Sequence, residues 1–493
     1  MTSTSLRPAT SISAGWGAST RAAKRAAIAA ILVAVGLGIA FVSDSLISVL
    51  LVAAFAIAIT GAAFLWNEPN RLFAIAVYLM WFEALGVGPV NTGRTIAFLA
   101  IAIPMARIIT SRWRIPAIEP RVWLPIALVV LWCLLTVFWS ADVAGFITGF
   151  LALFLGVAYA VLFAIFTESP EQMYRLLEGW VVVGVVIGLL SALVHYGLGY
   201  RSFGFTGGPN EYALYNVEAF PVCVVLATRS SGWKRLFFWA AIPVFFIGTL
   251  AAGSRGGLIG IGMITVFCMV TRPGMPASKR VLAGVASLFV VAAGILLAGI
   301  LDPERFTLLA FVSDRGAGRL DIWSAGIVGL KEHWLLGYGI GGFARQALAL
   351  VQRAGGSLEV ARQPNFRDQN NIPAHNMYLG VALDLGLVGF VIYFGAVGVA
   401  IKNLIDMLRS RWRDIAWIGL GVMVAVLGTG PFGSTINVKM QWAFMGLPGA
   451  YFVRRTLTDR EVRRARHLDI PAPAAIASSE PTEPLVEPDH VAR

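Results

Sequence analysis

Read only for hydrophobic and polar positions, the chain is a succession of apolar runs separated by short polar breaks. The runs are roughly 16–24 residues long, enough for a helix to cross a hydrocarbon core of about 30 Å. They lie near 26–42, 45–65, 72–88, 95–110, 122–140, 144–166 and 178–198. The series resumes near 211–228, 236–252, 256–271, 280–300, 377–400, 415–430 and 437–454. This pattern predicts an all-α, polytopic membrane helix bundle of about 14 transmembrane helices, with one long exterior loop that contains amphipathic helices. The first run leads straight into a second without an A-x-A site, so no cleavable signal peptide is expected.

Composition changes this picture little. Hydrophobic residues make up 57% of the 493 and charged residues 13%, which excludes a soluble chain with a charged surface. Cys133, Cys223 and Cys268 are scattered inside apolar runs without metal-ligand spacing, and read as small core residues. The net charge of +12 is better explained by basic loops on the cytoplasmic face than by nucleic acid, which is not expected as a partner.

Charge does fix an expected orientation. The Arg112-Trp-Arg114, Lys234-Arg235, Lys279-Arg280 and Arg409–Arg413 clusters all fall on one side of the predicted spans, and the short turns on the other side are nearly free of lysine and arginine. The positive-inside bias makes the basic side cytoplasmic, together with both chain ends. The expected organisation is a cytoplasmic segment at 1–25, a transmembrane bundle at 26–300, an exterior (periplasmic) loop at 301–375, further transmembrane helices at 376–454, and a cytoplasmic tail at 455–493. That tail is rich in Pro, Glu and Ser and reads as disordered.

Candidate chemistry gathers on the opposite, exterior side. Leu250–Ile259 reads LAAGSRGGLI and places Arg255 in a very short exterior turn. A guanidinium keeps its proton, so it is either a snorkelling helix-end arginine or the partner of an anion. Flanking glycines favour the anion, because bare backbone admits a bulky group. Glu83, His195, Arg201, Glu211, Glu218, Asp384 and Lys439 also lie toward this side, while the inner halves of the spans are almost uncharged. Intramembrane ionisable groups commonly line a substrate route, so one outward-facing polar cavity is expected; paired structural charges are the competing reading, above all for Glu83 and Asp384.

In the long loop, Leu320, Trp323, Ile327 and Leu330 recur at helical spacing, which predicts an amphipathic helix with Arg319 at its start. Gly337, Gly339 and Gly342 match G-x-G-x-x-G, but no βαβ unit surrounds them. They read as a tight turn folding back over the cavity, not as a dinucleotide site. The loop closes on Ile372–Tyr378 (IPAHNMY), placing His375 at the mouth of the next span, where an imidazole can exchange protons.

Together, the GSRGG turn, the RL-x-IW helix, the W-x-LGYG-x-G segment and the AHN-x-YL opening of a span resemble the O-antigen ligase and O-antigen polymerase superfamily. Gly208–Tyr212 (GPNEY) resembles the family's PNE opening of a span. The resemblance covers roughly residues 200–400 and rests on the order of the motifs. It implies a glycosyltransferase in the bacterial cytoplasmic (inner) membrane, with its active site on the exterior face. The donor would be a glycan linked to undecaprenyl pyrophosphate and the acceptor a hydroxyl of a glycan or lipid, in ligation to lipid A core or in polymerisation of repeat units.

By the same resemblance, Arg255 and Arg319 would hold the pyrophosphate and His375 would assist the attacking hydroxyl. Arg201, Asn210, Glu211, Tyr338 and Asn376 are the candidate substrate-binding residues. No cofactor and no metal are expected: guanidinium forks match phosphate oxygens, and the chain has no D-x-D pair to bridge a metal to pyrophosphate. A transporter or flippase of a lipid-linked glycan or another anion is the alternative, but it would be expected to show inverted repeats and midplane polar groups.

Overall fold

A computed structural model describes residues 69–82, 101–102, 105, 119–140, 142–199, 201–272, 276–306, 318–356, 372–433, 438–453 and 455. The expected spans near 26–42 and 45–65, most of the span near 95–110, Glu83 and the two expected cytoplasmic ends lie outside these residues, save Arg455 of the tail.

The main helices are α1 (Pro69–Tyr78), α2 (Pro120–Leu135), α3 (Val143–Phe166), α4 (Pro170–Ala192), α5 (Pro209–Arg229), α6 (Gly232–Ala251) and α7 (Arg255–Val270). They continue with α8 (Ala277–Leu301), α9 (Arg319–His333), α10 (Phe343–Arg353), α11 (Met377–Met407), α12 (Arg413–Thr429) and α13 (Lys439–Gly446). Among the described residues there is no strand, and seven helical segments are long and apolar enough to cross a membrane. The protein is therefore an all-α polytopic membrane protein.

Small residues let these helices approach closely, as bilayer packing requires in the absence of a hydrophobic drive between helices. Gly156 of α3 lies against the indole of Trp442 on α13, and Gly419 of α12 against Phe444. α7 offers one whole face of this kind. A methyl group on Gly257 would stand 2.7 Å from Ala213 of α5, and one on Gly260 2.5 Å from Thr429 of α12. The glycines after Arg255 thus serve helix packing, and Gly253, with φ of 55°, serves the turn itself. The three cysteines are buried and free.

α9 and α10 form a second, smaller core outside the bundle, in which Ile322, Ala325, Phe343, Ala347, Leu350 and Val351 meet Leu383 of α11. Only part of the α9 stripe expected from the sequence is buried: Leu330 packs against this core and Trp323 is half-buried. Leu320 and Ile327 are 48% and 55% exposed, whereas Ile322, Ala325, Gly326 and Gly329 pack inward. Small residues and Ile322 form the close contact, while Leu320 and Ile327 turn outward, where they can rest on a bilayer surface. α10 does show the expected pattern, burying Phe343, Ala347, Leu350 and Val351 along one stripe.

Between α9 and α10 the segment 334–342 threads back into the bundle and meets α11 at a kink. Gly386 has φ of 68° inside α11, and the carbonyls freed there find new partners. Tyr338 N donates to Leu383 O at 2.8 Å, and Trp132 Nε1 to Leu385 O at 3.0 Å. In return Leu387 N donates to Trp334 O at 2.8 Å. Gly337, Gly339 and Gly341 all have positive φ, so the tight-turn reading of this stretch holds, although the turn packs into helices instead of covering a cavity.

Candidate active site

At one end of the bundle the first turns of four helices face a common cleft. Asn210 and Glu211 of α5, Gly256 and Gly257 of α7, Met377 of α11 and Val438 just before α13 line it, opposite Thr429–Gly433 at the end of α12. The enclosed part is narrow, about 40 Å³, little more than the room for one water. Each helix start points unsatisfied N–H groups and the positive end of its dipole toward this end, a setting that favours an anion.

Local sequence explains how each start is held. Ser254 caps α7, its Oγ accepting from Gly257 N at 3.1 Å and donating to Asn210 Oδ1 at 2.9 Å, so α5 and α7 are tied at the rim. Asn376 caps α11 by accepting from Leu379 N at 3.1 Å. Pro209 opens α5 where its missing N–H costs nothing.

Three of the expected residues come to this rim. Arg255 is the first residue of α7, beside Gly256, where a methyl group would lie 2.5 Å from Phe432 Cβ. Arg319 is the first residue of α9, and its guanidinium carbon stands 5.8 Å from the centre of the Phe432 ring. His375 immediately precedes the cap of α11 and feels the Arg319 charge: burial, then Arg319, lowers its imidazole to about 4. Phe432 thus meets Arg319 directly and packs against Gly256, the residue after Arg255, and Arg319 in turn acts on His375.

The backbone at His375 is unusual. Its φ is 47°, the one positive φ outside glycine among the described residues. Neighbours hold it there: Trp323 Nε1 of α9 donates to Ala374 O at 3.1 Å on one side, and the Asn376 cap fixes the other. A left-handed non-glycine residue costs on the order of 1–3 kcal/mol and persists where the surroundings impose it, often at functional sites.

The other expected residues separate. Asn210 and Glu211 line the cleft. Asn376 is engaged as a helix cap. Arg201 stands one step behind, Nε donating to Ala252 O at 2.7 Å and an Nη to Gly253 O at 3.3 Å, so it braces the turn that presents Arg255. Tyr338 is not brought to the cleft; its ring packs 4.3 Å from that of His333, at the end of α9 remote from Arg319. Asp384 also has a different place from the expected cavity: its carboxylate accepts from Gly341 N and Phe343 N, each at 3.1 Å, and so holds the glycine segment and the start of α10. Sequence reading missed Phe432, Trp323 and Ser254. The Gly430-Pro-Phe-Gly433 turn was visible as a break between two apolar runs, but nothing in the chain announced that its phenylalanine meets Arg319.

Residues 236–394 match the family model described as O-antigen ligase. The chain carries an O-antigen ligase domain. That domain runs from α6 into α11 and includes Arg255, Arg319 and His375, while Arg201, Asn210 and Glu211 lie upstream of it. A protein of Rickettsia conorii (strain ATCC VR-613 / Malish 7), provisionally named a polysaccharide ligase, is 22% identical over 300 residues, covering 58% of this chain and 67% of the relative. Both matches support the resemblance to the O-antigen ligase superfamily.

Proposed function

We propose that this O-antigen ligase domain protein transfers an oligo- or polysaccharide from a lipid pyrophosphate, undecaprenyl pyrophosphate by family resemblance, to an acceptor hydroxyl. The observation that carries the reading is the placing of Arg255 at the start of α7, Arg319 against Phe432 and His375 beside Arg319, at an end of the bundle where four helix starts favour an anion. The charge bias of the loops supports placing this end on the exterior face of the inner membrane, where a lipid-linked glycan would be met.

In the step itself, the acceptor oxygen forms a bond to the anomeric carbon of the donor sugar. The bond from that carbon to the pyrophosphate oxygen breaks, and its electron pair leaves with the lipid pyrophosphate. Arg255 and Arg319 stabilise the charge that develops there, with planar forks suited to phosphate oxygens. His375 takes the acceptor's proton. Burial and the Arg319 charge keep the imidazole neutral at physiological pH, and an anion arriving beside Arg319 would offset the guanidinium and restore basicity as the donor binds. Asn210 and Glu211, on the cleft wall, supply an amide and a carboxylate for sugar hydroxyls. Guanidinium groups supply the positive charge that a divalent ion gives elsewhere, so transfer is proposed to need no metal.

Purified protein in detergent, given a lipid-linked repeat unit with and without a candidate acceptor, tests the reading. Glycan transfer with release of lipid pyrophosphate is expected, and chain growth without added acceptor would assign polymerisation over ligation. A donor left intact under all conditions would refute the proposal.

A further inference from the structure

At the far end of the bundle from the candidate site, a second cleft of about 460 Å³ lies between three helix ends. Arg121 comes from the first turn of α2, Asp406 and Arg409 from the end of α11, and Tyr451, Phe452 and Arg455 from the segment that follows α13. Three guanidinium groups and one carboxylate therefore line the same cleft. That carboxylate is engaged by Lys402, whose Nζ is 2.9 Å from Asp406 Oδ2. Arg121 is paired with Glu119 at 3.2 Å and lies 5.1 Å over the Phe452 ring. Among the described residues, Arg409 and Arg455 have no hydrogen bond or ion pair. The cleft keeps a net positive charge with two unused forks.

We propose that this cleft binds the phosphate group of a phospholipid. Guanidinium forks fit phosphate oxygens, and basic pockets between membrane helices at the leaflet surface suit lipid head groups. Two features favour a lipid over a soluble phosphate. Arg121, Ile405, Asp406 and Arg409 lie at or just beyond the ends of α2 and α11, both long and apolar enough to span a membrane, where head groups would be met. The wall also carries apolar surface beside the charges, in the Tyr451 and Phe452 rings and in Ile405, which is 50% exposed. Such rings and side chains commonly sit where lipid chains meet head groups. The volume is within the range of specific small-ligand pockets, about 300–1,000 Å³.

Native mass spectrometry of the full-length protein in detergent tests this, with phosphatidylglycerol, diacylglycerol and inorganic phosphate added separately. Phosphatidylglycerol should bind and diacylglycerol, which lacks the phosphate, should not. The double variant Arg409→Gln/Arg455→Gln should weaken phosphatidylglycerol binding by about tenfold or more, the scale of losing charge-assisted hydrogen bonds. Arg409→Lys/Arg455→Lys, which keeps the charge and tests the site should the glutamine pair fail to fold, should fall between. Lys234→Gln/Arg235→Gln, on basic residues outside this cleft, should leave binding unchanged. Equal binding by wild type and both arginine doubles, equal retention of diacylglycerol, or binding of inorganic phosphate without phosphatidylglycerol would each overturn the proposal.

Discussion

Arg255 and Arg319 differ from lysine in carrying flat, two-pronged donors, and the proposed work at the cleft rim depends on that shape. Arg255→Lys and Arg319→Lys should each reduce transfer about ten- to a hundred-fold, since hydrogen bonds to charged groups contribute about 1.5–3 kcal/mol, while the protein remains inserted and folded. Transfer rates beside a thermal-unfolding control check this. His375 should behave differently with pH. Its imidazole lies at about 4, below the ordinary 6.5, so the proton-accepting form persists on acidification until that range. In kcat/KM the acid limb should therefore fall near pH 4 and not near 6.5, and His375→Ala should remove that limb along with transfer. The same shift bears on stability with the opposite consequence. As pH falls through 6.5 toward 4 the unfolded chain takes up a proton that the folded one refuses, so stability declines in that window. Backbone strain at φ of 47° gives a further expectation: His375→Gly should unfold at higher temperature than His375→Ala, by about 1 kcal/mol, though both are inactive.

α11 depends on a partner that is not a helix. Its kink at Gly386 is completed by the glycine segment after α9, and a methyl group on Gly337 would meet Gly386 N at 2.5 Å and Asp384 O at 2.6 Å, on backbone already at φ of 71°. Gly337→Ala should thus destabilise the protein by several kcal/mol, beyond the usual range of about 0.5–3 for single changes, and loosen α9 from α11. Thermal unfolding, with proteolysis of the 318–356 region, would show it. This element marks where sequence reading stops. Periodicity and length made the membrane helices legible, and the order of short motifs led to Arg255, Arg319 and His375. Asp384 looked like a cavity residue because a buried carboxylate in a span signals function or pairing equally; the choice rests on Gly341 and Phe343, some forty residues earlier in the chain. α9 was legible as a helix but only partly in its facing, since Ala325, Gly326 and Gly329 carry little apolar signal to compete with Leu320 and Ile327. The role of Phe432 arises only when α7, α9 and α12 are brought together.

At the scale of the molecule, two clefts sit at opposite ends of one bundle, and the charge bias of the loops predicts which end faces outward. An alkaline phosphatase fusion after residue 340 should be active and one after residue 408 inactive; the reverse would place the arginine and histidine cluster in the cytoplasm and remove the basis for a lipid-linked donor. Transfer should also survive EDTA and gain nothing from added magnesium, if guanidinium groups take the role of a metal as proposed. The most direct measurement compares donor binding and transfer rate in purified Arg255→Lys, Arg319→Lys and His375→Ala, using a lipid-pyrophosphate-linked oligosaccharide in EDTA. The arginine variants should lose donor affinity and transfer together, while His375→Ala should bind donor almost as wild type and fail to transfer, with partial recovery at high pH. Wild-type transfer in Arg255→Lys and Arg319→Lys, or loss of donor binding in His375→Ala as complete as theirs, would contradict the account.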